Sequence, residues 1–324
     1  VKVLVTGAGS MLLAGVARTL VERGDDVVCL QRRAVEIPGA QVVQGDVRDA
    51  AAVLAAARGC DAIVHGAARV GVVGGWEEFR SVNVAGTEHV LFAAVERSVR
   101  RLVYVSTPSV AHSGHSIVGE GAAPAVTGRK GAFYAESKAV AEGLVLAANS
   151  PQLAVVAVRP HLVWGPGDTQ LVGRIIERAR AGRLAVVGSG SALIDSTYVD
   201  NAISAHVAAL DAVRPGAACA GRAYVVANGE PRTVRELLEG ICTAAGVPFE
   251  PRHVPLAVAL RVGSVVERVW PRLRKDEPPI TRFLAEQLGT AHWFDPRPAR
   301  DDLGWSPTVS LDEGLERLRQ SFAG

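Results

Sequence analysis

Three side chains define the chemistry that this sequence can perform: a phenol, an ammonium and a hydroxyl. Tyr134-Ala135-Glu136-Ser137-Lys138 reads as the opening of a helix, and a separation of four residues puts Tyr134 and Lys138 one turn apart on one face. An ammonium there favours the phenolate and is expected to lower a tyrosine pKa that is ordinarily about 10. Tyr134 can then give a proton to a substrate oxygen, or take one from it. Upstream, Val105-Ser106-Thr107-Pro108-Ser109 ends a β-rich run with three hydroxyls. One of them can polarise a carbonyl beside the tyrosine; its distance from Val110 favours Thr107, and Ser106 and Ser109 read as structural. No His/Cys/Asp spacing suggests a metal site.

A second constellation binds phosphate. Thr6-Gly7-Ala8-Gly9-Ser10-Met11-Leu12-Leu13 follows the first β-rich run and leads into a helix. Glycine lets the backbone turn tightly and approach a pyrophosphate, which sits on the free N–H groups of the helix start. Gly7, Ser10, Met11 and Leu12 are expected to face it. The spacing departs from T-G-x-x-G-x-x-G, because Ser10 and Leu13 stand where the later glycines would be. Asp46 and Val47 follow the third strand, where a carboxylate can meet an adenine amino group, and the small Ala67 and Ala68 follow the fourth. The second strand ends in Gln31-Arg32-Arg33. An acidic residue at Gln31 would hold the ribose 2′-OH of NAD; a neutral side chain followed by two arginines suits a 2′-phosphate. NADP(H) is therefore expected over NAD(H), with Lys138 also reaching the nicotinamide ribose.

The elements that must position these groups alternate in the first half of the chain. Strand candidates are Val3–Val5, Val27–Leu30, Gln41–Gln44, Ala62–Val64, Leu102–Ser106 and Ala154–Val158. Helix candidates between them are Leu12–Arg23, Ala50–Ala57, Trp76–Arg97 and Phe133–Ala148. Continuous apolar strands alternating with helices predict an α/β fold: a doubly wound parallel (Rossmann) sheet, covered on both faces. After about residue 160 helices become commoner. Residues 1–160 read as the dinucleotide-binding domain, and 161–324 as a smaller, mostly helical substrate lobe interleaved with the last sheet elements. Within it Leu256–Trp270 is apolar at helical spacing, which fits either a plain packing helix or a lid or membrane-surface helix.

Composition bounds the rest. The 324 residues are 48% hydrophobic and 21% charged with a net charge of +2, which suits a globular enzyme and gives no field for nucleic acid. The scattered cysteines (Cys29, Cys60, Cys219, Cys242) are expected as free thiols in a reducing compartment. With a strand at the start and no apolar run of membrane length, a cytoplasmic protein is expected, with peripheral membrane contact left open.

Together these motifs resemble the extended short-chain dehydrogenase/reductase family. The resemblance adds Asn83-Val84-Ala85-Gly86-Thr87, Arg159 to Gly167, Tyr198-Val199-Asp200-Asn201 and Leu303 to Pro307, and so spans nearly the whole chain. It implies hydride exchange with a nicotinamide cofactor, an architectural role for Asn83, and Pro160, Leu162 and Val163 lying against the nicotinamide. It also implies a homodimer formed through the helices of Trp76–Arg97 and Tyr134–Ala148. Pro108-Ser109 replaces the Asp-Glu pair of the dehydratases, and Leu162 the asparagine of sugar-nucleotide epimerases. The sequence resembles the 3β-hydroxysteroid dehydrogenase-like branch instead. In Arg159–Gly167, Pro278–Leu284 and Thr290–Asp295 it is closer to the 2-alkyl-3-oxoalkanoate reductases of bacterial long-chain olefin biosynthesis. That implies reduction of a bulky lipophilic 3-oxo acid, and the reverse oxidation. A steroid or sterol dehydrogenase, and a non-catalytic NADP(H) sensor, are the alternatives. Arg69, the loop Gly71–Trp76, His112, His115 and His161 are placed near the cleft, with His161 read as packing or positioning.

Overall fold

A computed structural model describes residues 1–71, 73–112, 114–128, 131–273 and 281–323. The expectations that fall on Val72 and on Pro278–Ile280 lie outside the described residues.

The first strand, β1 (Lys2–Thr6), sits in the interior of a seven-stranded parallel sheet. It is flanked by β2 (Asp26–Gln31) and β4 (Ala62–His65). β3 (Gln41–Gln44) lies outside β2, and β5 (Arg101–Val105) outside β4. Beyond β5 the sheet continues through Ala154–Pro160 to an outer strand, Arg222–Val226. The chain therefore returns from the lobe to complete the sheet.

Alternation along the strands explains the two covered faces. Val3 and Val5 point to a core shared with α1 (Met11–Glu22) and the helix Val199–Ala212. Leu4 points to the opposite core, with α2 (Ala50–Ala56) and the helices Gly86–Glu96 and Phe133–Ala147. The lobe has its own core around Trp164, Ile175, Tyr198, Leu238 and Ile241.

Two departures from the sequence expectation bear on the site. The single helix expected over Trp76–Arg97 is broken: Trp76–Phe79 is α-helical, Arg80–Ala85 is a π-helical turn, and α-helix resumes at Gly86. The wide turn accommodates one extra residue. The lobe also carries a four-stranded sheet that includes Leu193–Ile194, His292–Phe294 and Ile117–Glu120. Strands this short leave too little alternation to read.

Candidate active site

β1 ends at Thr6, whose buried hydroxyl is an anchor. Its Oγ1 lies 2.7 Å from His65 Nδ1 and accepts from the backbone N–H groups of Gly66 and Ala67 at 3.2 Å. His65 Nε2 is 3.0 Å from Thr87 Oγ1. Burial pushes His65 down to about 3, so the ring is neutral and ties β1, β4 and the helix Gly86–Glu96 together. Gly7, at φ +84°, lies so close to the next chain segment that a Cβ would stand 2.7 Å from Ala67 N. Only glycine leaves that cradle open.

Ser10 and Leu13 do other work than the glycines they replace. Ser10 caps α1, its Oγ accepting from Leu13 N–H at 3.2 Å. Leu13 is buried, and its side chain fills the notch left by Gly66, where a Cβ would meet Leu13 Cδ2 at 2.8 Å. The close packing has moved from the helix to the end of β4.

A groove with about 1520 Å³ of empty space runs over this cradle. Gly7, Ser10, Met11, Gln31, Arg32, Asp46, Val47, Ala67 and Ala68 all line it, and so do Gly167, Asp168, Thr169 and Gln170. The last three were missed by sequence reasoning; they come directly after the Arg159–Gly167 block and carry no phosphate-binding pattern. Arg33, Leu12, Pro160, Leu162 and Val163 are outside this lining. Leu12 packs on the sheet core and Leu162 and Val163 on the lobe core. Asp46 faces the groove, but Arg48 donates to both of its oxygens, at 2.8 Å from Nη2 and 3.1 Å from Nε, holding its carboxyl below the usual range. Gln31 packs over Gly9, where a Cβ would stand 2.3 Å from its Nε2. The small-residue cradle and the N-terminus of α1 fit a nicotinamide dinucleotide.

The helix Phe133–Ala147 carries the phenol of Tyr134 and the ammonium of Lys138. Burial pushes the Tyr134 phenol up to about 12, and the nearby Thr107 hydroxyl opposes that push. Thr107 Oγ1 also accepts from Ser109 N–H at 3.3 Å, while Ser106 is buried with no partner for its hydroxyl among the described residues. Lys138, one turn on, donates to the carbonyl of Val105 at 2.6 Å and lies 4.0 Å from the centre of the Tyr104 ring. Burial pulls its ammonium down to about 7, against the opposing charge of Glu142. The expectation of a lowered tyrosine is thus reversed: desolvation of the phenol outweighs the neighbouring Thr107 hydroxyl. Tyr134 is a protonated acid across neutral pH.

Behind Lys138 the same helix face carries Glu142. Arg159 clamps it, Nε donating to Oε2 at 2.8 Å and Nη2 to Oε1 at 2.5 Å, and Nη1 reaches Ala123 O at 2.7 Å. Both partners are fully buried. In front, Asn83 uses the π-turn to brace the site: its amide nitrogen donates to Ser137 Oγ at 2.8 Å and its oxygen accepts from Arg69 N–H at 2.7 Å.

Tyr134 opens on a second cleft, with about 950 Å³ of empty space. Val73, Phe79, Phe133, Val266 and Trp270 are among its walls. Arg69 is not free beside it: its guanidinium pairs with Glu78 at 2.9 Å, donates to Val73 O at 3.0 Å and abuts Gly74 of the wall. His112 and His161 are buried around His292, with ring centres 5.0 and 6.1 Å from it, and His115 is exposed. His161 Nδ1 sits 2.7 Å from Asp195 O and burial lowers the ring to about 4, so it packs as a neutral group. No metal-binding group of three or more side chains occurs among the described residues.

The chain matches the 3-beta hydroxysteroid dehydrogenase/isomerase family over residues 5–257. It is 48% identical to a 2-alkyl-3-oxoalkanoate reductase of Stenotrophomonas maltophilia, covering 99% of both chains. It is 39% identical to a protein of the same name from Shewanella oneidensis, over 98% of this chain and 85% of that one. Among solved structures, a dTDP-glucose 4,6-dehydratase of Streptomyces venezuelae with NAD bound superposes with a TM-score of 0.75 at 23% identity, over 100% and 97% of the two chains. A UDP-glucose 4-epimerase of Thermotoga maritima gives 0.75 at 20% identity, over 100% and 99%. These two share the fold. A chain with this sheet, this cradle and this tyrosine–lysine helix belongs to the 3-beta hydroxysteroid dehydrogenase/isomerase family of extended short-chain dehydrogenases/reductases, and is an NAD(P)-dependent oxidoreductase.

Proposed function

We propose that the protein reduces a 2-alkyl-3-oxoalkanoate to the 2-alkyl-3-hydroxyalkanoate with NADPH, and catalyses the reverse oxidation with NADP⁺. The observation that carries this reading is the placement of Tyr134, a protonated acid, on the wall of a cleft made mostly of apolar side chains. The bound cofactor supplies the hydride. Thr107 and Tyr134 hold the ketone oxygen, Tyr134 gives it the proton, and Lys138 in its charged form stabilises the phenolate left behind. The names of the two reductase relatives support the substrate.

For NADP(H) the support is local. No carboxylate stands at Gln31 to hold a ribose 2′-OH, and Arg32 lines the groove with a guanidinium charge to offer a 2′-phosphate. We further propose a homodimer, supported by Phe92 and Val95 exposed on the helix Gly86–Glu96, and a cytoplasmic setting. Among the described residues no helix is long and apolar enough to cross a membrane.

The test is oxidation of NADPH and NADH in parallel, with a 2-alkyl-3-oxo acid and with a 3-oxosteroid. Turnover is expected with NADPH and the 3-oxo acid, and Tyr134→Phe should reduce kcat by roughly 10²–10⁴-fold. Arg32→Ala should raise KM for NADPH and leave that for NADH unchanged. Faster turnover of the steroid would move the protein to the hydroxysteroid branch. Cofactor binding without turnover of either substrate would favour a sensor.

A further inference from the structure

The helix Leu256–Leu273 has two different apolar faces. Its inner side packs against the helix Arg282–Gly289, closely enough that a Cβ on Gly263 would stand 2.4 Å from Arg282 N. Val266 and Trp270 of this helix wall the apolar cleft. Its outer side carries Val258, Val262, Val265 and Val269, which are 46%, 46%, 58% and 42% exposed. Spaced by four, three and four residues, the four valines form one narrow line on the helix surface. Val265 and Val269 directly adjoin Val266 and Trp270 in the chain, so the exposed valines border the wall of the cleft that holds Tyr134, a wall that also includes Glu267.

We propose that this helix lies on an anionic lipid surface, its valine line in the headgroup boundary and the mouth of the cleft turned toward the acyl chains. Charge favours that occupant: the helix contains three arginines and one glutamate, and Arg261 is exposed beside the valines. A basic helix with an apolar stripe and no capacity to span is the pattern of an interfacial helix. A second copy of the chain fits less well. A stable interface buries about 800 Å² per partner, and four half-exposed valines fall well short of it. The use made of this contact rests on the proposed lipid substrate, which would pass between bilayer and cleft without entering water; the contact itself does not.

The experiment is flotation of the full chain with vesicles of phosphatidylcholine alone and of phosphatidylcholine mixed with phosphatidylglycerol. The protein should float with the mixed vesicles, less so at high salt. Val262→Glu/Val265→Glu should weaken that binding by about tenfold or more, while vesicle-free turnover of a short-chain 3-oxo acid stays unchanged. Val262→Ser/Val265→Ser, gentler at exposed positions, gives the same test if the glutamates disturb the helix. Protein that stays unbound with both vesicle types overturns the proposal. So does a loss of self-association in the variants, since the valines would then be an interface between copies. If vesicles are bound but no 3-oxo acid is turned over in any form, the lipid contact stands and the reductase reading fails.

Discussion

At Lys138 two opposed effects are balanced, and the balance is measurable. Burial pulls the ammonium down to about 7 and Glu142 opposes that pull. Tyr134 stays protonated to about 12, so in the proposed reaction the group that titrates near neutrality is the lysine. Lys138 is charged below its folded pKa and neutral above it. Reduction should therefore fall as the pH rises through about 7. In Glu142→Gln the opposing carboxylate is gone, and that limb should move to lower pH; a displacement of one unit lowers the rate above the limb about tenfold. The change also strands the Arg159 guanidinium, costing about 3–5 kcal/mol of stability, so the kcat profile is recorded at a temperature where the variant remains folded. A limb at the same pH in folded variant and parent would remove Glu142 from this role. The placement of Tyr134 and Lys138 one turn apart could be read from their spacing on a helix. The Glu142–Arg159 clamp could not: its partners are 17 residues apart on different elements, and only the sheet brings them together.

At the scale of elements, the strand–helix alternation of the first half was legible because each strand is a continuous apolar run. The π-turn and the short lobe strands were not, since a one-residue irregularity leaves no change in hydrophobic period. The glycine loop was misleading for a related reason. A motif records where glycine is usually needed, whereas packing requires only that one of two facing residues be small. Here Leu13 is large and Gly66 is small. Gly66→Ala should therefore destabilise the protein by about 1–3 kcal/mol through overpacking. Adding Leu13→Ala should recover part of that loss, because the added methyl then has room. Urea unfolding of the two single variants and the double variant gives the coupling; additive effects would mean that the notch is not shared.

Over the whole molecule, the substrate-side walls were the least legible part. The cleft gathers residues from the segments 71–79, 131–135, 266–270 and 281, which no local pattern connects. The same assembly buries titratable groups whose sum sets acid stability. Burial holds His65, His161, His206 and His292 at about 3 to 4, below the value of about 6.5 that they regain on unfolding. Between those limits the unfolded chain binds more protons, so stability falls as pH drops below about 6.5. Each histidine contributes roughly 1.4 kcal/mol per pH unit. Asp195 acts in the opposite sense: raised to about 7, its carboxyl binds a proton in the folded state first and offsets one histidine. The melting temperature should decline steeply from pH 6.5 to pH 5, and a flat profile there would show that the histidine rings gain water before the fold opens.

The π-turn at Arg80–Ala85 has a consequence for how this site can change by descent. Such a turn amounts to a helix carrying one inserted residue. Removing any single residue between Arg80 and Asn83 would restore a regular helix and rotate the N-terminal stretch by about 100° relative to the C-terminal one. Asn83 could then no longer face both Ser137 and the backbone of Arg69 while Trp76 and Phe79 kept their places. A length change that is neutral in most helices is here a loss of the Asn83 brace, so the segment tolerates replacement of its residues more readily than any alteration in their number.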